Sequence, residues 1–128
     1  VESWIIALII LAVIIIVLVI NAFISMRGVN MLTEEEFGKD LRKVQLIDLR
    51  EKDKFEHGHI MGARNMPISS FQMKKGGIRK DVPVYLYDQN GRTALRAARM
   101  LKKDGHKDLN VLKQGIAKWT GKIKSKNR

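Results

Sequence analysis

No cysteine occurs anywhere in the 128 residues. That absence excludes a disulfide scaffold and a Cys-ligated zinc or iron–sulfur site. It also excludes any chemistry needing the chain's own thiolate, such as persulfide transfer or Cys-phosphatase action. It says little about redox compartment, since cytosolic proteins also do without cysteine. Charge is missing from one end. Residues 1–26 carry a single charged side chain, Glu2, while the rest holds all 24 Lys and Arg and all but one of the 13 Asp and Glu. So uneven a distribution excludes a wholly soluble globule and a disordered tail. The length leaves room for one ordinary domain, not two.

The apolar end is a single run. Trp4 to Ile24 is uncharged and dominated by Ile, Leu and Val, with Asn21 as its only strongly polar member. As a helix it measures about 31 Å, the thickness of a bilayer core. The β-branched residues are mediocre helix formers in water, but in lipid the backbone must satisfy its own hydrogen bonds. A cleaved signal peptide calls for a basic start, a shorter apolar stretch and a small-x-small cleavage site. Here the start is acidic, and Asn21 to Ser25 offers no such site. A buried core helix would show a polar face, and this run has none. The reading is a retained anchor over residues 1–26 that crosses the membrane once. Arg27, Lys39, Arg42 and Lys43 follow it closely and nothing basic precedes it. The positive-inside rule therefore predicts a cell-membrane protein with its N-terminus outside and its C-terminal domain in the cytoplasm. No Gly-x-x-x-Gly occurs to suggest pairing of anchors.

Ser25 to Asn30 reads as a very short linker, placed at 27–29 between anchor and domain. Thr33 followed by three glutamates is an N-cap with an acidic first turn. Val44–Leu49, Val82–Tyr87 and Leu109–Leu112 read as strands, with an extended stretch at 64–67 before Pro67. Lys52–His57, Ser69–Lys74 and Arg92–Lys103 read as helices, and Lys75-Gly76-Gly77 as a break. Ala94, Leu95, Ala98 and Leu101 give the Arg92 helix its apolar face, and Gly105 stops it. Ile116–Trp119 reads as the start of a last helix. Strands and helices alternate, which predicts an α/β fold with a parallel sheet and helices on both faces. Residues 122–128 form a short basic tail.

Asp48-Leu49-Arg50-Glu51, followed by Gly58-His59-Ile60-Met61-Gly62-Ala63-Arg64-Asn65-Met66-Pro67, resembles the signature of the rhodanese-like domain: D-x-R-E, then G-H-I-x-G-A-x-N-x-P. Later positions fit as well, with Gly91 and Arg92 after the Val84–Tyr87 strand, then Gly105, Leu112, Gly115, Ile116 and Trp119. The resemblance covers about residues 30–121. It implies a three-layer α/β domain with a five-stranded parallel sheet. It also implies an active loop between the Val84–Tyr87 strand and the Arg92 helix, where active members carry sulfur on a cysteine cradled by backbone N–H groups. Here that loop reads Asp88-Gln89-Asn90-Gly91-Arg92-Thr93, with a carboxylate in the cysteine's place and one residue fewer before the arginine. Gln114 replaces the usual second glycine at the start of the last helix. The resemblance gives Asp48, Arg50, Gly58, His59, Gly62, Ala63, Asn65 and Pro67 a structural role.

Asp88 is expected to cap the Arg92 helix and plug its pocket, since Asp is a favoured N-cap residue. Use as a phosphoryl-transfer nucleophile would need a magnesium site, and no second acid lies in the loop. Arg92 is expected to pair with Asp88 or stay in solvent rather than bind an anion. His57 and His59 lack a third metal ligand, so no metal and no cofactor is expected. The methionines read as packing fillers. The excess of basic residues points to anionic lipid headgroups or an acidic protein partner. Nucleic acid is not expected, because no aromatic interleaving or reading motif accompanies the charge. The function predicted is a membrane-tethered, catalytically inactive interaction or scaffold module. Two alternatives stand beside it: a protein of a sulfurtransferase pathway working with a partner's thiol, and a small-anion sensor acting through residues 88–93.

Overall fold

The structure, a computed structural model, describes residues 2–26 and 28–125. The first helix, α1, runs Ser3–Met26. Its Ser3–Phe23 stretch is long and apolar enough to cross a membrane, with a mean hydropathy of 3.4, and none of it is buried. Since the whole circumference is apolar, no face of α1 is marked for packing on a domain.

The remainder is an α/β domain. Its main sheet has five strands, all parallel, in the order β1-β6-β5-β2-β4. These strands are β1 Val29–Leu32, β2 Gln45–Asp48, β4 Arg64–Asn65, β5 Val84–Tyr87 and β6 Leu109–Leu112. A two-residue antiparallel ribbon pairs β3, His59–Ile60, with β7, Ile123–Lys124. The helices are α2 Glu34–Phe37, α3 Lys52–His57, α4 Ile68–Lys74 and α5 Arg92–Lys103.

Strand side chains alternate between two apolar layers, as the pleat requires. Ile47, Val84, Leu86, Leu109 and Val111 join Phe71 of α4 and Ala94, Ala97, Ala98 and Leu101 of α5 on one face. Leu46, Tyr87 and Leu112 join Phe37, Ile60 and the partly buried Trp119 on the other. Because both faces are covered, every residue of β6 is buried, the pattern expected of a central parallel strand. Short α2 holds together through a capping box: Thr33 Oγ1 accepts from the Glu36 N–H, and Glu36 Oε1 accepts from the Thr33 N–H. That places Phe37 against Tyr85, Tyr87 and Trp119, at ring separations of 5.1, 6.5 and 6.2 Å.

Three sequence expectations change. The expected linker reaches Val29, which is already the first residue of β1 and pairs with Leu109. The expected last helix is only a 3-10 turn over Ile116–Lys118, with Trp119 extended. Its entry residue, Gly115, sits at φ +70° and ψ −175°, a conformation that does not lead into a helix. In the basic tail, Ile123 and Lys124 are paired with β3, while 126–128 lie outside the described residues. The expected break at Lys75–Gly77 stands, since α4 ends at Lys74 and those three residues form a 3-10 turn.

Candidate functional site

All five parallel strands end at one edge, the place where open α/β sheets take their ligands. In register, Asp48 of β2 stands beside Tyr87 of β5 and Asn65 of β4. Asp48 is fully buried, and its carboxylate is held by Arg50: Nη2 donates to Oδ2 at 2.7 Å, Nε to both oxygens at 3.1 Å, and the Arg50 N–H to Oδ1 at 2.9 Å. Burial works against the Arg50 charge, but the bond to Asp48 and its attraction outweigh it, and the guanidinium pKa is raised. Arg50 Nη2 also donates to the Gly58 carbonyl at 2.6 Å. Asn65 Nδ2 donates to the Asp48 and Arg50 carbonyls at 3.1 and 2.8 Å. These groups knit three chain segments together.

Tyr87 is buried between that ion pair and Phe37. Its oxygen accepts the Ile60 N–H at 3.0 Å. Burial first, then the Asp48 charge, push the phenol far above its ordinary value, so it stays protonated. His59 stacks on Phe55 at 3.7 Å, and its Nδ1 lies 2.8 Å from the Phe55 carbonyl. His57 Nδ1 lies 2.6 Å from the Asp53 carbonyl. Among the described residues no group of three His, Cys, Asp or Glu side chains is placed to hold a metal ion. Gly62 turns the chain at φ +91°, the Ala63 N–H closes that turn on the Ile60 carbonyl, and Pro67 precedes α4.

The 88–93 loop follows Tyr87. Asp88 is 5% exposed, and its two oxygens point inward. Oδ1 accepts the Gly91 N–H at 2.5 Å and Oδ2 accepts the Thr93 N–H at 3.1 Å. Asn90 Oδ1 accepts the Arg92 N–H at 3.1 Å. The donors at the positive end of a twelve-residue helix are thus met by the loop's own side chains. The Arg92 side chain is exposed, and among the described residues it forms no ion pair.

A second loop closes over the first, and sequence reading did not foresee this. The Ile116 and Ala117 N–H groups donate to the Asp88 and Gln89 carbonyls at 2.9 and 3.3 Å. Gly115 makes the approach possible: a Cβ there would stand 2.3 Å from the Gln89 carbonyl oxygen. A Cβ on Gly91 would likewise stand 2.4 Å from the Lys113 carbonyl oxygen. An open cleft of about 1140 Å³ lies elsewhere, between α2, the turn after β3 and the Trp119–Lys122 segment, and no residue of the 88–93 loop lines it.

The five-stranded parallel sheet, covered on both faces and carrying a helix-terminal N–H cradle at its carboxyl edge, defines an open three-layer α/β domain. The chain belongs to the rhodanese-like domain family, whose profile matches residues 33–122. Over 121 residues it is 50% identical to YqhL, an uncharacterized protein of Bacillus subtilis, covering 94% of this chain and 96% of that one. Over 80 residues it is 29% identical to the thiosulfate sulfurtransferase GlpE of Shewanella oneidensis, covering 62% of this chain and 79% of that one. Its fold is that of a rhodanese-related protein from Thermoplasma volcanium, with a TM-score of 0.69 at 19% identity, covering 74% and 97% of the two chains.

Proposed function

We propose that the chain is a membrane-anchored rhodanese-like domain with no sulfurtransferase activity of its own, serving as an interaction module on the cytoplasmic face. The observation that carries this reading is the Asp88 carboxylate. It is buried and takes the Gly91 and Thr93 N–H groups where the family resemblance expects a sulfur-carrying cysteine. A carboxylate has no sulfur to carry. It also repels thiosulfate or phosphate, by about 4 kcal/mol for unit charges 4 Å apart at an effective dielectric near 20. The exposed, uniformly apolar α1 supports the anchor, and the basic residues that follow it support the cytoplasmic placement.

The test is a thiosulfate–cyanide assay on the full chain in mild detergent. No turnover above the buffer rate is expected, and sustained turnover by a preparation free of contaminating enzymes would refute the reading. Asp88→Cys should recover at most weak activity, because the loop is held down by the Ile116 and Ala117 N–H groups. The similarity to GlpE favours one second reading, in which a partner brings the thiol. That reading requires the chain to speed sulfur transfer between a persulfide-bearing protein and an acceptor when neither step needs a cysteine of its own.

A further inference from the structure

We infer that the amino-terminal edge of the sheet docks on anionic phospholipid headgroups, laying the domain on the bilayer with the 88–93 loop turned away from it. The inference rests on reading α1 as a membrane anchor. All five strands are parallel, so their first residues share one edge and their last residues the other. α1 ends at Met26 and β1 begins at Val29. Three residue steps reach roughly 11 Å at most, so the edge where β1 starts stays close to the bilayer exit.

The segments that enter the neighbouring strands at this edge are basic. Lys75, Arg79 and Lys80 precede β5, and Lys102, Lys103 and Lys107 precede β6. Two of the nearby acids are already paired, Asp81 with Arg79 at 2.6 Å and Asp104 with Lys75. Asp108, which accepts from Asn110 at 2.8 Å, and Asp40, which lies with it near Tyr85, are the others. Cations therefore outnumber carboxylates, and Lys80, Lys103 and Lys107 are exposed.

Contacts make one surface of these segments, and it starts at the junction with α1. Lys102 Cε lies 3.7 Å from where a Cβ on Gly28 would stand. Lys80 Nζ lies 3.6 Å from the same point on Gly105. Gln45, first in β2, donates to the Arg79 and Val82 carbonyls at 2.8 and 3.1 Å and accepts the Arg79 N–H. The basic stripe of α5 continues from Lys103 through Arg99 and Arg96 to Arg92, but it climbs about 16 Å away to the opposite edge. Only its Lys103 end belongs to the docking surface. The negative cytoplasmic leaflet attracts such a surface within a Debye length.

The chain's lack of cysteine makes any introduced one a unique dye site. Gly76→Cys marks the amino edge, where a Cβ meets nothing within 4 Å, and Gln114→Cys marks the exposed turn at the carboxyl edge. The full chain, each version labelled, is reconstituted into phosphatidylcholine vesicles with or without phosphatidylglycerol. Energy transfer to a headgroup acceptor is then read. Transfer from position 76 should rise with phosphatidylglycerol and fall back in high salt, while position 114 stays low throughout. Lys80→Gln, Lys103→Gln and Lys107→Gln together should weaken the docking equilibrium roughly a hundredfold, about fivefold per lysine. A chain that floats with neutral vesicles but shows no charge-dependent approach at 76, or equal approach at 114, overturns the docking alone. Approach that needs an added acidic polypeptide assigns the edge to protein and overturns it too. A chain that fails to float with any vesicle removes the anchor and the docking together.

Discussion

Replacing Asp88 by alanine strips two acceptors from the start of α5 at once. The Gly91 and Thr93 N–H groups, 2.5 and 3.1 Å from its oxygens, lose their partners in a site where Asp88 itself is 5% exposed. A hydrogen bond to a charged group contributes about 1.5–3 kcal/mol, and loss of a helix cap alone costs about 0.5–2. Water entering the vacated space will satisfy part of what is lost, so the expected cost is about 3 kcal/mol. Asp88→Asn keeps one acceptor but removes the negative charge from the positive end of the helix, and should cost about 1–2 kcal/mol. Urea unfolding of the full chain in mild detergent reads both values through Trp119 emission, with Trp4→Phe to remove the second indole. At about 4–8 °C per kcal/mol for a domain near 100 residues, the alanine variant should also melt roughly 12–24 °C lower. An alanine variant within about 0.5 kcal/mol of the parent would show that the carboxylate is not what holds the loop.

Four further outcomes are expected. Gly115→Ala should destabilise by roughly 3 kcal/mol or more, because the new Cβ meets the Gln89 backbone at φ +70°; a midpoint unchanged in urea would contradict the close approach. Arg50→Ala leaves the Asp48 carboxylate buried beside a lost partner, and should cost about 3–5 kcal/mol by the same unfolding measurement. Burial, then Lys80 and Lys75 against an opposing Asp104, holds the His106 imidazole below its ordinary value. The unfolded chain therefore takes up this proton first, so the contribution is present above about pH 6.5 and is lost as pH falls further; His106→Gln should flatten that slope. Sulfate or thiosulfate titration should leave the Gly91, Arg92 and Thr93 amide resonances in place, and saturable shifts would revive the anion-sensor alternative.

Much of the domain was legible because its signals are local. Arg92–Lys103 and Lys52–His57 begin and end where the sequence places them, and so does Leu109–Leu112. Apolar spacing fixes the longer helix, and an unbroken apolar run fixes the strand. Val44–Leu49 shortens by one residue at each end, and the strand expected from Val82 starts at Val84, after Pro83, which brings no N–H to a ladder. Missed were the elements whose reason to exist lies far away in the chain. Val29–Leu32 is a strand because β6 waits beside it, with Asn30 Nδ2 donating to Asn110 Oδ1 at 3.0 Å. Ile123–Lys124 is extended because His59 and Ile60 offer it partners. At the site, the sequence pointed to a bond between Asp88 and the start of the Arg92 helix, but the N-cap residue itself is Gly91 in the left-handed region. The second loop that closes on it, through Gly115, Ile116 and Ala117, depends on a backbone approach that no spacing in the sequence encodes.

β1 is an edge strand whose one neighbour, β6, is 80 residues further along the chain. At a synthesis rate of about 5–20 residues per second, roughly 4–16 s pass between the emergence of the first and of the second. During that interval the apolar helix has already been made, while Val29 to Leu32 stand unpaired next to it. The sheet is then completed only when late residues return to the early strand. A chain built this way should be most exposed to proteolysis, or to pairing with the wrong strand, in the seconds before Leu112 is made.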